Sequence, residues 1–372
     1  MIRDYITEER YSVMEKKAVV TRVLGEFGIN ENIEPYGNGQ INDTFVTESY
    51  DYLIQRINTK VFKKPEELME NIDNVTSFLK KKIVKEGGDP ERETLTVVKT
   101  KNGENFYRID DDNVYRVYKF VKASKSIENS KTYEDLFCAG QSFGHFQMLL
   151  DDYPAETLHE TIADFHNTPK RVEALKEAIK NDIAGRKALV EKEIEFSLKC
   201  AEEFASVAVD ELKKGTLPLR VTHNDTKINN ILFDDATGKA ICVIDLDTVM
   251  PGSSLYDFGD ALRMGASTGA EDEVNLDLVN FDVKAFESFA KGYLSEMKDK
   301  LTEKEIELLP FSAKLLTYEC GIRFLTDYLN GDTYFKIHRE HHNLDRARNQ
   351  LKLVHDISTK EAEMMQMVKN LL

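Results

Sequence analysis

Between residues 221 and 245 the sequence VTHNDTKINNILFDDATGKAICVID interrupts a buried apolar pattern with His223, Asp225 and Asn230. LRV enters this stretch as a strand, and ILFDDATGKAICVIDLDT reads as an apolar hairpin turning at Asp-Asp-Ala-Thr-Gly. That pairing puts Asp225 and Asp245 at comparable ends, where they can approach one another. Two unpaired buried carboxylates are costly, and a divalent cation resolves the cost. Asn230 adds a neutral oxygen donor. An all-oxygen set suits Mg²⁺ rather than zinc, and Mg²⁺ with so few protein ligands shares its shell with a nucleotide phosphate. A capped helix start is the competing explanation for Asp and Asn here; the companion Ile244-Asp245 weighs against it.

The rest of the chain bounds that chemistry. At 372 residues it has room for two domains of about 150 residues each. With 41% hydrophobic and 31% charged residues, neither disorder nor a membrane protein is expected. The excess of 66 acidic over 50 basic residues, a net charge of -16, repels nucleic acid and anionic lipid. MIRDYITEERYSVMEKK lacks an apolar core of signal-peptide length, and no stretch approaches the ~20 apolar residues of a membrane span, so a cytoplasmic protein is expected. Cys138, Cys200, Cys242 and Cys320 are widely spaced, which suits free thiols in a reducing compartment and gives no support to a structural metal.

Residues 11 to 26 carry apolar side chains at helical spacing, and Gly28 supplies a stop. Short strands follow, in IEPYGNGQINDTFVTE and DYLIQRI. A helix opens at Pro65 and ends at Gly87-Gly88. TLTVVKT, ENFYRID and NVYRVYKFVKA return to strand character. Beyond about residue 125 the patterns are helical: SIENSKTYEDLFCAGQSFGHFQMLLDD, then one long charged run from Val172 to Gly215. Apart from the segment around the polar cluster, helix continues to the end. The expected organisation is a sheet-rich lobe, 1–122, and a helical lobe, 123–372, with ligands in a cleft between them.

The order His223-x-Asp225-x-x-x-x-Asn230, then Ile244-Asp245, has the spacing of a kinase catalytic loop and the metal-binding Asp beyond it. It resembles the phosphotransferase family that includes aminoglycoside phosphotransferases and choline kinases. The Arg of H-R-D, a G-x-G-x-x-G loop, D-F-G and A-P-E are missing, which argues against a protein kinase. A closer resemblance, to the N-acetylhexosamine 1-kinases, is carried by IEPYGNGQIND, YLIQRINTKVFKKPEELMENI, ETIADFHNTPKR, THNDTKINNILFD, CVIDLDTVMPGSSLYDFGDALR and ECGIRFLTDYLNGDTYFKIHREHHNLDRARNQ. It implies an α+β, two-lobed, protein-kinase-like fold. The activity implied is ATP- and Mg²⁺-dependent transfer to the anomeric hydroxyl of N-acetylglucosamine or N-acetylgalactosamine. Another small hydroxyl acceptor (a different hexose, choline or an aminoglycoside) and a nucleotide-binding pseudokinase are the alternatives.

Asp225 is the expected base toward the acceptor hydroxyl, and the resemblance agrees with spacing in making Asn230 and Asp245 Mg²⁺ ligands, with Asp245 also near substrate. His223 either holds this loop or touches substrate, and Asp247 supports Asp245. Gly37, Asn38 and Gly39 permit a tight turn that covers phosphates or the acceptor. Gln40 stands where the sugar kinases carry a His near the sugar. The resemblance aligns Gln55 with the strand Lys of kinases; Arg56 is the rival phosphate contact, and strand alternation keeps the two on opposite faces. The backbone of Lys122 and Ala123 falls where a kinase hinge meets adenine. Met264 is either core or part of an N-acetyl pocket. Arg323 reaches sugar, as the resemblance implies, or forms an ion pair with Asp257 or Asp327. Tyr256, Asp257 and Asp260 look like supports, and His166 looks structural. A monomer is expected.

Overall fold

Apolar residues along 43–57 and 113–119 make strands, the second of them buried on both faces, and everything in the first half of the chain builds on them. The computed structural model describes residues 17–37, 41–127 and 132–372. It divides into two compact units: residues 1–125 with 233–247, and residues 126–232 with 248–372. The sequence puts all of 123–372 in one domain; in the structure the segment 233–247 groups with the N-terminal part instead.

In the first unit, helix α1 (17–26) is followed by Gly28 at φ +75°. The part of the predicted helix before residue 17 lies outside the described residues. Strands β1 (Ile33–Pro35), β2 (Asp43–Thr47) and β3 (Tyr52–Ile57) run as an antiparallel meander. Helix α2 (Pro65–Glu86) starts on its proline and stops at Gly87, whose left-handed φ of 80° lets its N–H cap the last carbonyls. β4 (Val97–Val98), β5 (Tyr107–Asp110) and β6 (Asn113–Lys119) complete the sheet, in the order β1-β2-β3-β6-β4 with β5 also on β6. Val20, Val23, Leu24 and Phe27 of and beside α1 pack with Phe45, Ile54, Tyr115 and Val117 into one core. The register sets Gln55 of β3 opposite Arg116 of β6. A short strand β7 (Ser124–Ser126) ends this part.

The second unit is helical. Its members are α3 (Tyr133–Leu149), α4 (Thr168–Asn181), α5 (Glu191–Phe204) and α6 (Val207–Lys214). The single long helical run expected from residue 172 to 215 is therefore broken, because Asp182 takes the left-handed conformation at φ 40° and Gly185 follows at φ 65°. Strand β8 (Arg220–Thr222) leads into the polar stretch. β9 (Ile231–Asp234) and β10 (Ala240–Val243) form the expected hairpin, with β7 on the far side of β9; from Phe233 on this hairpin groups with the first unit. β11 (Met250–Gly252) then pairs antiparallel with β8, matching Met250 to Thr222. These three-residue strands are too short to show a period of two in the sequence.

Helices α7 (Ser254–Gly265), α8 (Val283–Met297), α9 (Glu303–Leu329) and α10 (His342–Leu371) complete the unit. Residues 266–282, expected to be helical, are instead an irregular link containing a bridge from Ser267 to Phe281. α9 is buried on nearly every side by α4, α5, α7 and α10. Arg220, at the start of β8, is locked to Glu305 at the start of α9 by Nε at 2.6 Å and Nη2 at 2.9 Å. All four cysteines are free thiols, three of them buried. Among the described residues no helix is long and apolar enough to cross a membrane.

Candidate active site

The polar stretch leaves β8 at Thr222 and is tied down almost entirely through its backbone. Asp257, buried near the start of α7, accepts the N–H of His223 at 2.9 Å and of Asn224 at 2.7 Å. Asp260, one turn later, accepts the N–H of Thr226 at 3.0 Å. The Thr226 hydroxyl donates to the carbonyl of Asp257 at 2.7 Å. Asn224 sits at φ 65° and its side chain donates to the carbonyl of Thr248 at 2.8 Å, which explains an Asn at a left-handed position. Asp257 also accepts from Gln147 at 2.6 Å, and Gln147 in turn accepts from the Tyr293 hydroxyl. Burial pushes the Asp257 carboxyl up against the opposing pull of His223 and those backbone N–H groups. Asp257 and Asp260 thus occupy the supporting positions expected of them.

His223 has no solvent exposure and lies edge-on to Phe143 and Phe146, with ring centroids 5.6 and 6.0 Å away. Its Nδ1 accepts the N–H of Asp225 at 3.3 Å. Of the two roles open to it, this geometry is that of a residue holding the loop.

The Asp225 carboxylate projects from this scaffold with a quarter of its side chain exposed. Asn230 Nδ2 donates to Asp225 Oδ2 at 3.1 Å and to its carbonyl at 2.8 Å, so Asn230 keeps its amide oxygen for another partner. Lys227, which the sequence reading passed over, places Nζ 2.6 Å from Asp225 Oδ1. A Lys two residues after the Asp was visible in His223-x-Asp225-x-Lys227 and could have been singled out as the cation beside Asp225. Burial raises the Asp225 pKa, but Lys227, His223 and the Asn230 hydrogen bond outweigh it and hold the carboxyl below its ordinary value.

Asp245, in the first unit, follows β10 at φ 60° and is exposed. Leu246 and Asp247 directly after it are buried. Asp247 is gripped by the buried guanidinium of Arg116, with Nη2 2.9 Å from Oδ2 and Nη1 on Oδ1. Arg116 Nε and Nη2 also donate to Gln55 Oε1, at 3.0 and 2.7 Å. Gln55 therefore spends its amide oxygen inside the sheet. Arg56 points the other way, to Asp43, with Nη2 2.6 Å from Oδ2. Among the described residues no group of three or more His, Cys, Asp or Glu side chains is placed to hold a metal.

Gly37 is left-handed at φ 69°, as a tight turn requires. Asn38, Gly39 and Gln40 lie outside the described residues. The carbonyls of Lys122 and Ala123 accept from Arg92 Nη2 at 3.2 and 3.1 Å, and Ala123 is itself at φ 52°. The Lys122 side chain pairs with Asp51. Met264 is exposed on α7.

Arg323 of α9 forms neither ion pair open to it. Asp257 is occupied as above, and Asp327 accepts the N–H groups of Thr333, Tyr334 and Phe335. Arg323 lies instead over the rings of Phe165 and Phe335, 6.0 and 5.5 Å from their centroids. Arg171, also passed over in the sequence, donates to the carbonyl of Phe165 at 2.9 Å and has a buried Nε with no hydrogen-bond partner among the described residues. Burial and the neighbouring Arg323 lower its pKa. The nearby Glu319 is taken by His166 Nδ1 at 2.8 Å and the Thr168 hydroxyl at 2.7 Å. His166 stacks on Tyr256, the residue before Asp257, so the two guanidinium groups belong to the same packed region as the polar loop.

Residues 137–290 match the model of the phosphotransferase enzyme family, a segment that contains the polar stretch. Among solved structures the chain is similar to an aminoglycoside phosphotransferase from Alicyclobacillus acidocaldarius, with a TM-score of 0.61 at 12% identity over 94% of this chain and 96% of that one. It is similar to a choline/ethanolamine kinase family protein from Mesorhizobium loti, with a TM-score of 0.52 at 12% identity over 96% and 99%. An AMP-bound spectinomycin phosphotransferase gives a TM-score of 0.54 at 14% identity over 92% and 98%. Residues 137–290 are thus similar to the phosphotransferase enzyme family, and the chain as a whole shares the two-lobed α+β, kinase-like fold of these solved structures.

Proposed function

We propose that the chain is an ATP- and Mg²⁺-dependent small-molecule kinase that phosphorylates the anomeric hydroxyl of N-acetylglucosamine or N-acetylgalactosamine. The observation that carries the phosphoryl chemistry is the Asp225, Lys227 and Asn230 arrangement: an ionised, part-exposed carboxylate on a rigid loop, with a cation and an amide beside it. Asp225 orients the acceptor hydroxyl and takes its proton. Lys227 exchanges its pairing with Asp225 for the charge of the transferred phosphoryl group. In the second unit Asn230 retains an amide oxygen, and in the first Asp245 presents an exposed carboxylate; both are donors suited to a hard cation, and each is assigned to Mg²⁺. Mg²⁺ would neutralise phosphate charge, completing its shell with phosphate and water. The Gly37–Gly39 turn and the backbone at Lys122 and Ala123 are assigned to the nucleotide, and Gln55 acts through Arg116. Gln40, Met264 and Arg323 are assigned to the acceptor. Beside Asp225 the side chains able to accept phosphate, His223 and Thr226, are buried, which favours direct in-line transfer in a monomeric, cytoplasmic enzyme.

Acceptor class is supported by Arg171 and Arg323. Among the described residues neither guanidinium is held in an ion pair, which disfavours a cation such as choline or an aminoglycoside and suits the hydroxyls of a neutral sugar. The test is phosphorus NMR of the protein with Mg-ATP and, separately, N-acetylglucosamine, N-acetylgalactosamine, galactose, choline and kanamycin. A sugar 1-phosphate is expected, reduced about 10²–10⁴-fold by Asp225→Asn. Phosphate on choline or kanamycin, or ADP without phosphorylated product, refutes the assignment.

A further inference from the structure

The largest investment of buried charge in the first unit is at Arg116. Its guanidinium is 1% exposed, yet every edge is used: one on Asp247, the other on Gln55. Asp247 is equally saturated, since Asn42 Nδ2 also donates to its Oδ2 at 2.8 Å. Asn42 Oδ1 then accepts the N–H of Asn58 at 3.0 Å, and Gln55 Nε2 donates to Thr44 at 3.2 Å. One chain of hydrogen bonds thus joins β2, β3, β6 and the turn after β10.

A buried ion pair is seldom more stable than an apolar pair of the same volume, so its use here is better sought in what it orients. Two groups are oriented. Asp245, two residues before Asp247, is a non-glycine residue in the left-handed region, a conformation that persists only where its surroundings over-determine it. Asn42 lies five residues beyond the left-handed Gly37.

We propose that Arg116 is a positioning residue for metal–nucleotide binding: through Asp247 it holds the Asp245 carboxylate in its left-handed conformation, and through Asn42 it anchors the chain where it enters β2. The proposal rests on Asp245 being a Mg²⁺ ligand. It gives Gln55 a role as well, which is to fix the guanidinium. A lysine cannot replace Arg116, because a single ammonium cannot grip both carboxylate oxygens and the amide at once.

The test uses full-length wild type, Arg116→Lys and Gln55→Ala, each checked for folding by near-ultraviolet circular dichroism. Free Mn²⁺ is followed by electron paramagnetic resonance with a non-hydrolysable ATP analogue, so that no turnover enters the readout. The Mg²⁺ and acceptor dependence of the kinase reaction is measured in parallel. Arg116→Lys should weaken Mn²⁺ binding about 10–100-fold and raise the apparent KM for Mg²⁺ similarly, leaving the acceptor KM within twofold of wild type. Gln55→Ala keeps the Arg116–Asp247 pair and should show a smaller shift in the same direction, which carries the test if the Lys variant does not fold. Wild-type Mn²⁺ binding in the folded variants, or an equal loss in metal and acceptor parameters, overturns the positioning role alone. Absence of nucleotide-dependent Mn²⁺ binding in wild type overturns the assignment of Asp245 together with this proposal.

Discussion

Burial and neighbouring charge act in opposite directions on Asp225, and charge wins. Burial alone would raise the Asp225 carboxyl, yet Lys227 at 2.6 Å, with His223 and Asn230, leaves it below the ordinary aspartate value of about 3.9. A base must be ionised to act, so the acid limb of kcat/KM is expected below pH 4. In Lys227→Met, burial acts without its main opponent, and the limb should move upward; a pH–rate profile of the two proteins checks this. The sign for stability follows from the same shift. A depressed carboxyl stabilises the fold above its unfolded pKa, and that contribution is lost as pH falls through the folded one. An unmoved limb would mean that Lys227 does not govern the protonation of Asp225.

Among elements, the contact of α3 with α8 is the tightest in the second unit. A Cβ on Gly140 would stand 2.1 Å from the carbonyl oxygen of Phe289, and one on Gly292 would stand 2.0 Å from that of Phe137. The two backbones therefore approach as closely as they do because each helix offers a glycine to the other. Neither clash can be relieved by turning a side chain, since the obstructing atom is backbone. Gly292→Ala is expected to destabilise by about 3 kcal/mol or more, the upper range of overpacking, and to lower Tm by roughly 10 °C. Calorimetry against an exposed control, Gly103→Ala excluded because of its positive φ, would check it. A melt within 2 °C of wild type would show that α3 and α8 can separate at little cost. Gln147 of α3 and Tyr293 of α8 support Asp257, so the same variant should also reduce kcat.

For the whole molecule, the two compact units do not correspond to two continuous halves of the chain. Residues 1–125 bury Arg116 against Asp247, which the chain supplies only after residue 232. A fragment ending at 125 is left with an unpaired buried guanidinium, a loss of about 3–5 kcal/mol beyond the missing hairpin itself. That fragment is expected to lack a dispersed amide NMR spectrum. A native-like spectrum from 1–125 would show that the hairpin is dispensable to the first unit.

What the sequence determined by itself was local. The His223, Asp225, Asn230 and Asp245 spacing was legible because a polar loop between short strands is a matter of chain distance. The ends of α2 were legible because proline and glycine act on their own backbone. The break at Asp182 was not, since a left-handed Asp is permitted by its residue type but not announced by it. Lys227 was legible and was passed over. The partners of Arg116 and Arg323 belonged to the tertiary structure alone. Arg116 meets Asp247 across 131 positions, and nothing in NVYRVYK distinguishes it from a solvent-facing strand arginine. Among the described residues Arg323 forms no ion pair, because the hydrogen bonds of Glu319 and Asp327 go elsewhere. A charge at a given position is a property of the sequence; whether that charge is neutralised depends on which distant groups the fold brings to it.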